Sequence, residues 1–237
     1  GPWSREQRYW MEGEGGRADH IRDAFAKLGF TEVQLFNYTH SLNDTPDTVG
    51  CAVARKTLVR GGRQVTIIGA FLRGSGYGAE WSGNLHAGPG SAHVGFVTAA
   101  RQLVEKIRAY VQTSAKRQPL GTLKLWMGGY SRGGGVANLV AARLPAVLPQ
   151  LEKKNTFVYT FAAPASLTAA DCPDLQQDYD NNHAADGRLK KDWGTSNIFN
   201  IVSSGDVIPR ILPAEWGFYR KGNDRFLPST VFPEELQ

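Results

Sequence analysis

The sequence predicts an α/β domain whose sheet is mostly parallel and is entered through an antiparallel hairpin. Three observations carry this. Two β-like runs, residues 49–59 and 63–72, meet at Gly61-Gly62, a glycine pair suited to a two-residue hairpin turn. Beyond them strand-like and helix-like runs alternate, the pattern of parallel strands with helices on their faces. An apolar run then leads through Gly129-Tyr130-Ser131-Arg132-Gly133 into a helix-like run. A G-x-S-x-G corner between strand and helix presents one serine hydroxyl clear of the backbone.

Each element follows from local pattern. Residues 17–28 carry Ile21, Phe25 and Leu28 at helical spacing, and Gly29 ends the run. Residues 31–38 alternate as a strand, with Val33 and Leu35 on one face. Residues 39–47 are polar and contain Pro46, a loop; residues 73–90 are glycine-rich and irregular. Phe96, Ala100, Leu103, Ile107 and Val111 recur every three or four positions, an amphipathic helix. Residues 120–127 read as a strand. Residues 132–144 read as a helix through Val136, Leu139, Val140 and Leu144, with Pro145 expected to stop it. Residues 157–162 read as a buried strand and 197–202 as another. Between them, residues 171–196 are polar, a surface insertion or cap. The tail shows turn signals at Pro209, Pro213 and Pro228. The 237 residues are expected to form one domain.

Composition narrows the function classes. Hydrophobic content of 41% and aromatic content of 11% are globular values. The net charge of +5 comes from scattered residues, without blocks of like sign, so no nucleic-acid partner is expected. No apolar run is long enough for a transmembrane helix. Gly1-Pro2 resembles the scar that a protease leaves, which allows for a leader upstream. Cys51 and Cys172 are too few for a disulfide scaffold; one bridge is open to them, but two buried thiols is the plainer reading. No Cys/His cluster has ligand spacing, so no metal or cofactor is expected.

A serine nucleophile needs a base, an acid to orient that base, and two backbone donors for the oxyanion. Ser131 is the candidate nucleophile, and the amide of Arg132 one donor. The other fits Phe71-Leu72-Arg73-Gly74-Ser75-Gly76, a strand ending in a flexible turn, with Ser75 as donor; an ordinary glycine loop reads the same way. Asp206 follows the strand Asn197-Ile198-Phe199-Asn200-Ile201-Val202. It reads equally as the orienting acid, since sites gather at the carboxyl ends of such strands, or as a turn aspartate capping its own backbone. Tyr77, Trp81, Trp193, Trp216 and Tyr219 suit an acyl pocket, and suit core or rim packing as well.

An ordered set of short motifs resembles the class 3 (fungal-type) lipase family, and most of all its bacterial lipase-like branch. Leu72-Arg73-Gly74-Ser75 is similar to the family's F-R-G-S/T oxyanion turn, and His93-Val94-Gly95-Phe96 to its H-x-G-F. Gly129-Tyr130-Ser131-Arg132-Gly133-Gly134 is similar to its G-[HY]-S-x-G-G, and Thr160-Phe161-Ala162-Ala163-Pro164 to its T-F-G-x-P. Asn200-Ile201-Val202 with Asp206-Val207-Ile208-Pro209 resembles its N-x-x-D-x-V-P segment, and Gly217-Phe218-Tyr219 follows as expected. The set runs from about residue 31 to 228. The resemblance implies an α/β-hydrolase fold, with a mostly parallel central sheet, an N-terminal antiparallel hairpin and helices on both faces. It implies a serine hydrolase cleaving carboxylic esters, acyl glycerols or related lipids, with Ser131 and Asp206 catalytic and Ser75 and Arg132 at the oxyanion. A lipid or ester substrate, a transient lipid surface and a secreted or cell-surface bacterial location go with it; the oligomeric state stays open.

Two departures stand out. The family places its histidine after the aspartate, whereas His20, His40, His86, His93 and His183 all precede Asp206. The expectation is that the histidine lies past Gln237, so that residues 1–237 lack the domain's C-terminal end; a swing of His183 over Ser131 is the lesser option. His93 is read as structural and His86 as exposed. Arg132 stands where lipases commonly have leucine, and is expected to pair with a surface acid. The alternatives to a hydrolase are an inactive lipase-like binder lacking the histidine, and an acyltransferase or thioesterase.

Overall fold

The computed structural model describes residues 16–37, 47–75, 93–168, 197–212 and 214–227. Among these residues seven strands form one sheet in sequential order: β1 (Thr31–Phe36), β2 (Cys51–Arg60), β3 (Arg63–Leu72), β4 (Thr122–Tyr130), β5 (Thr156–Phe161), β6 (Ile198–Ser203) and β7 (Asn223–Leu227). Strands β1 to β3 pair antiparallel. Strands β3 to β7 pair parallel. The β2–β3 hairpin keeps register from Cys51↔Leu72 to Arg60↔Arg63. Its Gly61 and Gly62 both have positive φ, 55° and 71°, as a tight hairpin turn requires.

Among the described residues three α-helices cover the sheet: α1 (Gly16–Lys27), α2 (Val94–Arg117) and α3 (Arg132–Val147). Side-chain alternation along each strand decides which face each helix takes. Cys51 and Val53, Ile68, Ala70 and Leu72, and Leu123, Leu125 and Met127 all point to the core under α2 and α3. The predicted stripe of α2, Phe96 to Val111, is buried there at all five positions. Ala52 and Ala54, with Ile67, Phe71 and Trp126, point the other way and receive Phe25 and Phe30 from α1 and the turn after it. Phe25 meets Phe30 edge-on at 5.4 Å, and Phe71 meets Trp126 likewise at 5.0 Å.

Three expectations are corrected. Helix α3 runs on through Pro145 to Val147. Proline lacks an N–H for the Ala141 carbonyl and crowds it, but two residues from the helix end this disturbs only the last turn, and Leu148 N–H still closes onto the Leu144 carbonyl. Strand β5 is buried on one face only: Thr156, Val158 and Thr160 are covered while Tyr159 and Phe161 are exposed. Strand β7 lies where the sequence showed only turns. Its Asn-Asp-Arg-Phe-Leu carries no apolar alternation, because its side chains are mostly exposed and, among the described residues, it pairs with β6 alone. Cys51 is a free, fully buried thiol; Cys172 lies outside the described residues, as do residues 171–196.

Candidate active site

Strand β4 ends at Tyr130, helix α3 begins at Arg132, and Ser131 is the single residue that turns the chain between them. Its backbone sits at φ 51°, ψ −124°, a conformation that glycine adopts freely and serine does not. The corner is held by backbone bonds. Ser131 N–H donates to the Phe161 carbonyl at 2.8 Å, and its own carbonyl accepts from Gly134 and Gly135 at 2.9 and 3.1 Å. The hydroxyl makes no capping bond to the helix, and among the described residues it has no hydrogen-bond partner. A strained residue with an uncommitted hydroxyl at a strand end has the form of a nucleophile elbow.

Glycine is demanded on both sides. A Cβ at Gly129 would overlap the Gly133 carbonyl oxygen. A Cβ at Gly133 would overlap the Arg73 carbonyl and stand 2.7 Å from that of Leu72. The turn after β3 is therefore seated directly on the start of α3. From the other side, a Cβ at Gly74 would come within 3.0 Å of the Tyr130 ring and 3.5 Å of Ser131 Cβ. Residues 72–75 thus abut the serine, which brings the Ser75 and Arg132 segments together around it. Arg73 N–H donates to the Gly50 carbonyl at 3.0 Å, and Arg73 Nη1 to the Gly74 carbonyl at 2.9 Å, fixing that turn.

The Arg132 side chain is not at the surface, where its expected partner was placed. It is 1% exposed, its guanidinium lies 5.0 Å from the centre of the Phe96 ring, and Nε donates to the Thr48 carbonyl at 3.2 Å. The first turn of α3 faces the body of the protein, so this side chain has no route to solvent. His93 has the structural place predicted for it. It is fully buried, stacks on Phe96 at 3.8 Å, and accepts the Phe96 N–H on Nδ1 as the N-cap of α2.

Asp206 lies in the loop after β6, at the same end of the sheet as Ser131 and two strands away. At a spacing of roughly 4.8 Å per strand, β4 and β6 run about 10 Å apart in the sheet. The side-chain hydrogen bond of Asp206 is local. Ile208 N–H donates to Oδ1 at 2.9 Å, which is the turn-aspartate bond. Oδ2 has no hydrogen-bond partner among the described residues. His20 is exposed on α1. His40, His86, His183, Tyr77, Trp81 and Trp193 lie outside the described residues, while Trp216 and Tyr219 are partly exposed near this end. Among the described residues no group of acidic, His or Cys side chains has metal-site geometry, and no helix is long and apolar enough to cross a membrane.

Sequence reasoning missed a buried polar cluster behind the site. Asn200 Oδ1 accepts from Asn138 Nδ2 at 2.8 Å and from Thr160 Oγ1 at 2.7 Å; all three residues are fully buried. Asn138 interrupts the apolar run of α3, and Asn200 that of β6. Those interruptions are the signal that marks buried polar partners.

A sheet of this order, with a strained serine at the β4–α3 corner, defines an α/β hydrolase. The chain belongs to the class 3 lipase family, whose model, lipase (class 3), it matches over residues 72–216. Family membership makes it a lipid ester hydrolase in broad class. No curated protein sequence matches it. Solved structures of similar fold include a fungal lipase in complex with an inhibitor, at 20% identity and TM-score 0.59 over 92% of this chain and 78% of that one. A triacylglycerol lipase whose catalytic centre is a serine-protease triad aligns at 20% identity and TM-score 0.58, over 85% and 68%. The Rhizomucor miehei triacylglyceride lipase aligns at 20% and 0.59, over 93% and 78%. At these identities the likeness is one of fold.

Proposed function

We propose that this protein hydrolyses carboxylic esters of lipids, acyl glycerols foremost, through an acyl-enzyme on Ser131. The observation that carries the reading is the Ser131 corner: a strained backbone, a hydroxyl kept out of the helix cap, and the residue 72–75 turn packed against it. Ser131 Oγ attacks the acyl carbon while a histidine takes its proton. Of the described histidines, His93 is buried as the cap of α2 and His20 is exposed on α1, so that base belongs outside the described residues. Asp206 Oδ2 orients it and stabilises its charged form. The amides of Ser75 and Arg132 donate hydrogen bonds to the developing oxyanion. The alcohol leaves with the proton, and water then attacks the acyl-enzyme by the same route, regenerating Ser131.

The rim favours an apolar acyl group over a charged substrate. Tyr130 beside the serine and Val207 beside the aspartate are 61% and 71% exposed, and Ile211, Trp216 and Tyr219 are also open to solvent. Apolar side chains flanking two polar site residues suit an acyl chain at a lipid surface. The test is hydrolysis of p-nitrophenyl butyrate by the full-length protein. Ser131→Ala is expected to abolish it, and equal rates in the two proteins would reject Ser131 as nucleophile.

A further inference from the structure

We infer that Arg220 is a positioning residue for Asp206, clamping the acid loop to the helix that carries Ser131. The inference rests on the roles proposed above for those two residues.

The loop is largely self-contained. Asp206 N–H donates to the Ser203 carbonyl, Ile208 N–H to Asp206 Oδ1, Arg210 N–H to the Val207 carbonyl, and Arg210 Nη2 to the Ser204 carbonyl. Among the described residues, the hydrogen bonds of residues 205–210 otherwise stay within residues 203–211. The exception is one bond from Arg220 Nη1 to the Pro209 carbonyl at 3.0 Å. The same nitrogen donates to the Ala163 carbonyl, just past β5, at 3.3 Å. Its other donors grip Asp224: Nε reaches both carboxylate oxygens at 3.1 Å, and Nη2 reaches Oδ2 at 2.6 Å. The Arg220 side chain is only 15% exposed, so this ion pair is shielded from water and held by a fork rather than a point charge.

Asp224 passes the connection inward. Its Oδ1 accepts from Asn200 Nδ2 at 3.0 Å, and Asn200 in turn holds Asn138 of α3. The Lys221 N–H closes onto Asn138 Oδ1, while the Lys221 carbonyl accepts from Asn200 at 3.1 Å. A continuous set of bonds therefore runs from the nucleophile helix through Asn138, Asn200, Asp224 and Arg220 to the turn three residues past Asp206. Arginine suits the position because it must satisfy a carboxylate and two carbonyls in different directions. A lysine ammonium reaches fewer of them at once.

The test measures kcat and KM on p-nitrophenyl butyrate for full-length R220M, R220K and D224N. Reactive serine is titrated with a fluorophosphonate, so that rates refer to folded sites. A misplaced acid costs chemistry and leaves ester binding alone. R220M is expected to lose roughly 10- to 100-fold in kcat per titrated site with KM within about twofold, and R220K to recover part of the loss. D224N changes only the other end of the pair and is expected to fall in kcat in the same way, which keeps a readout if R220M folds poorly. Unchanged kcat per site in R220M or D224N, or R220K no better than R220M, would overturn the clamp. Full activity in Ser131→Ala would remove the nucleophile reading and the clamp with it. An inactive Ser131→Ala beside an unaffected R220M removes the clamp alone.

Discussion

Replacing Ser131 with glycine should abolish ester hydrolysis and yet make the protein more stable than Ser131→Ala. Ser131 holds φ 51°, ψ −124° with a Cβ in place. A non-glycine residue in such a region costs about 1–3 kcal/mol. Glycine removes that strain, but costs roughly 0.5–1 kcal/mol through the freedom it adds to the unfolded chain. Both variants lack the hydroxyl, so its loss cancels between them. The net gain is about 1 kcal/mol. For a domain of 150–250 residues that is a rise in Tm of roughly 2–4 °C. Thermal melts of Ser131→Gly and Ser131→Ala, side by side, read the difference. A glycine variant melting at or below the alanine variant would show that the corner stores no strain, and would withdraw the argument that the backbone is bent to present the hydroxyl.

Three further outcomes are expected. Gly133→Ala should destabilise by roughly 3 kcal/mol through overpacking and lower ester turnover about 100-fold. Its Cβ can be accommodated only by moving the Leu72 and Arg73 carbonyls, and with them the turn that carries Ser75; wild-type kcat in this variant would refute that. Cys51 should resist a thiol reagent at pH 8 until the protein unfolds, read by mass spectrometry of its peptide, because burial pushes its thiol from the usual 9.0 up to about 12. The sign for stability follows. Above pH 9.0 the unfolded chain ionises this thiol and the native protein does not. Stability from this group is therefore complete below pH 9.0 and falls by about 1.4 kcal/mol per pH unit up to about 12. Cys51→Ala should flatten that slope in alkaline denaturation curves.

Much of the fold and part of the candidate site were legible in the residue order. The Gly61-Gly62 hairpin, the α2 stripe and the glycines flanking Ser131 are local signals, since each reports what its own few residues can do with φ, ψ and burial. Strand β7 was not legible, because its pairing comes from β6 and not from its own polar sequence. The burial of Arg132 was not legible either. A guanidinium is usually at the surface, and only the packing of α3 against Phe96 and the Thr48 segment gives it a place inside.

The sequence by itself determined the alternation of elements, the serine corner with its obligatory glycines, and the carboxylate that follows a strand. Each is a property of a short stretch of chain. Only the tertiary structure decided that residues 72–75 rest on Ser131, that Asp206 lies two strands from it at the same sheet end, and that Arg220 bonds the loop after β6. Those facts depend on contacts between residues distant in the chain. Strand order and burial create such contacts, and no local pattern of residue types specifies them.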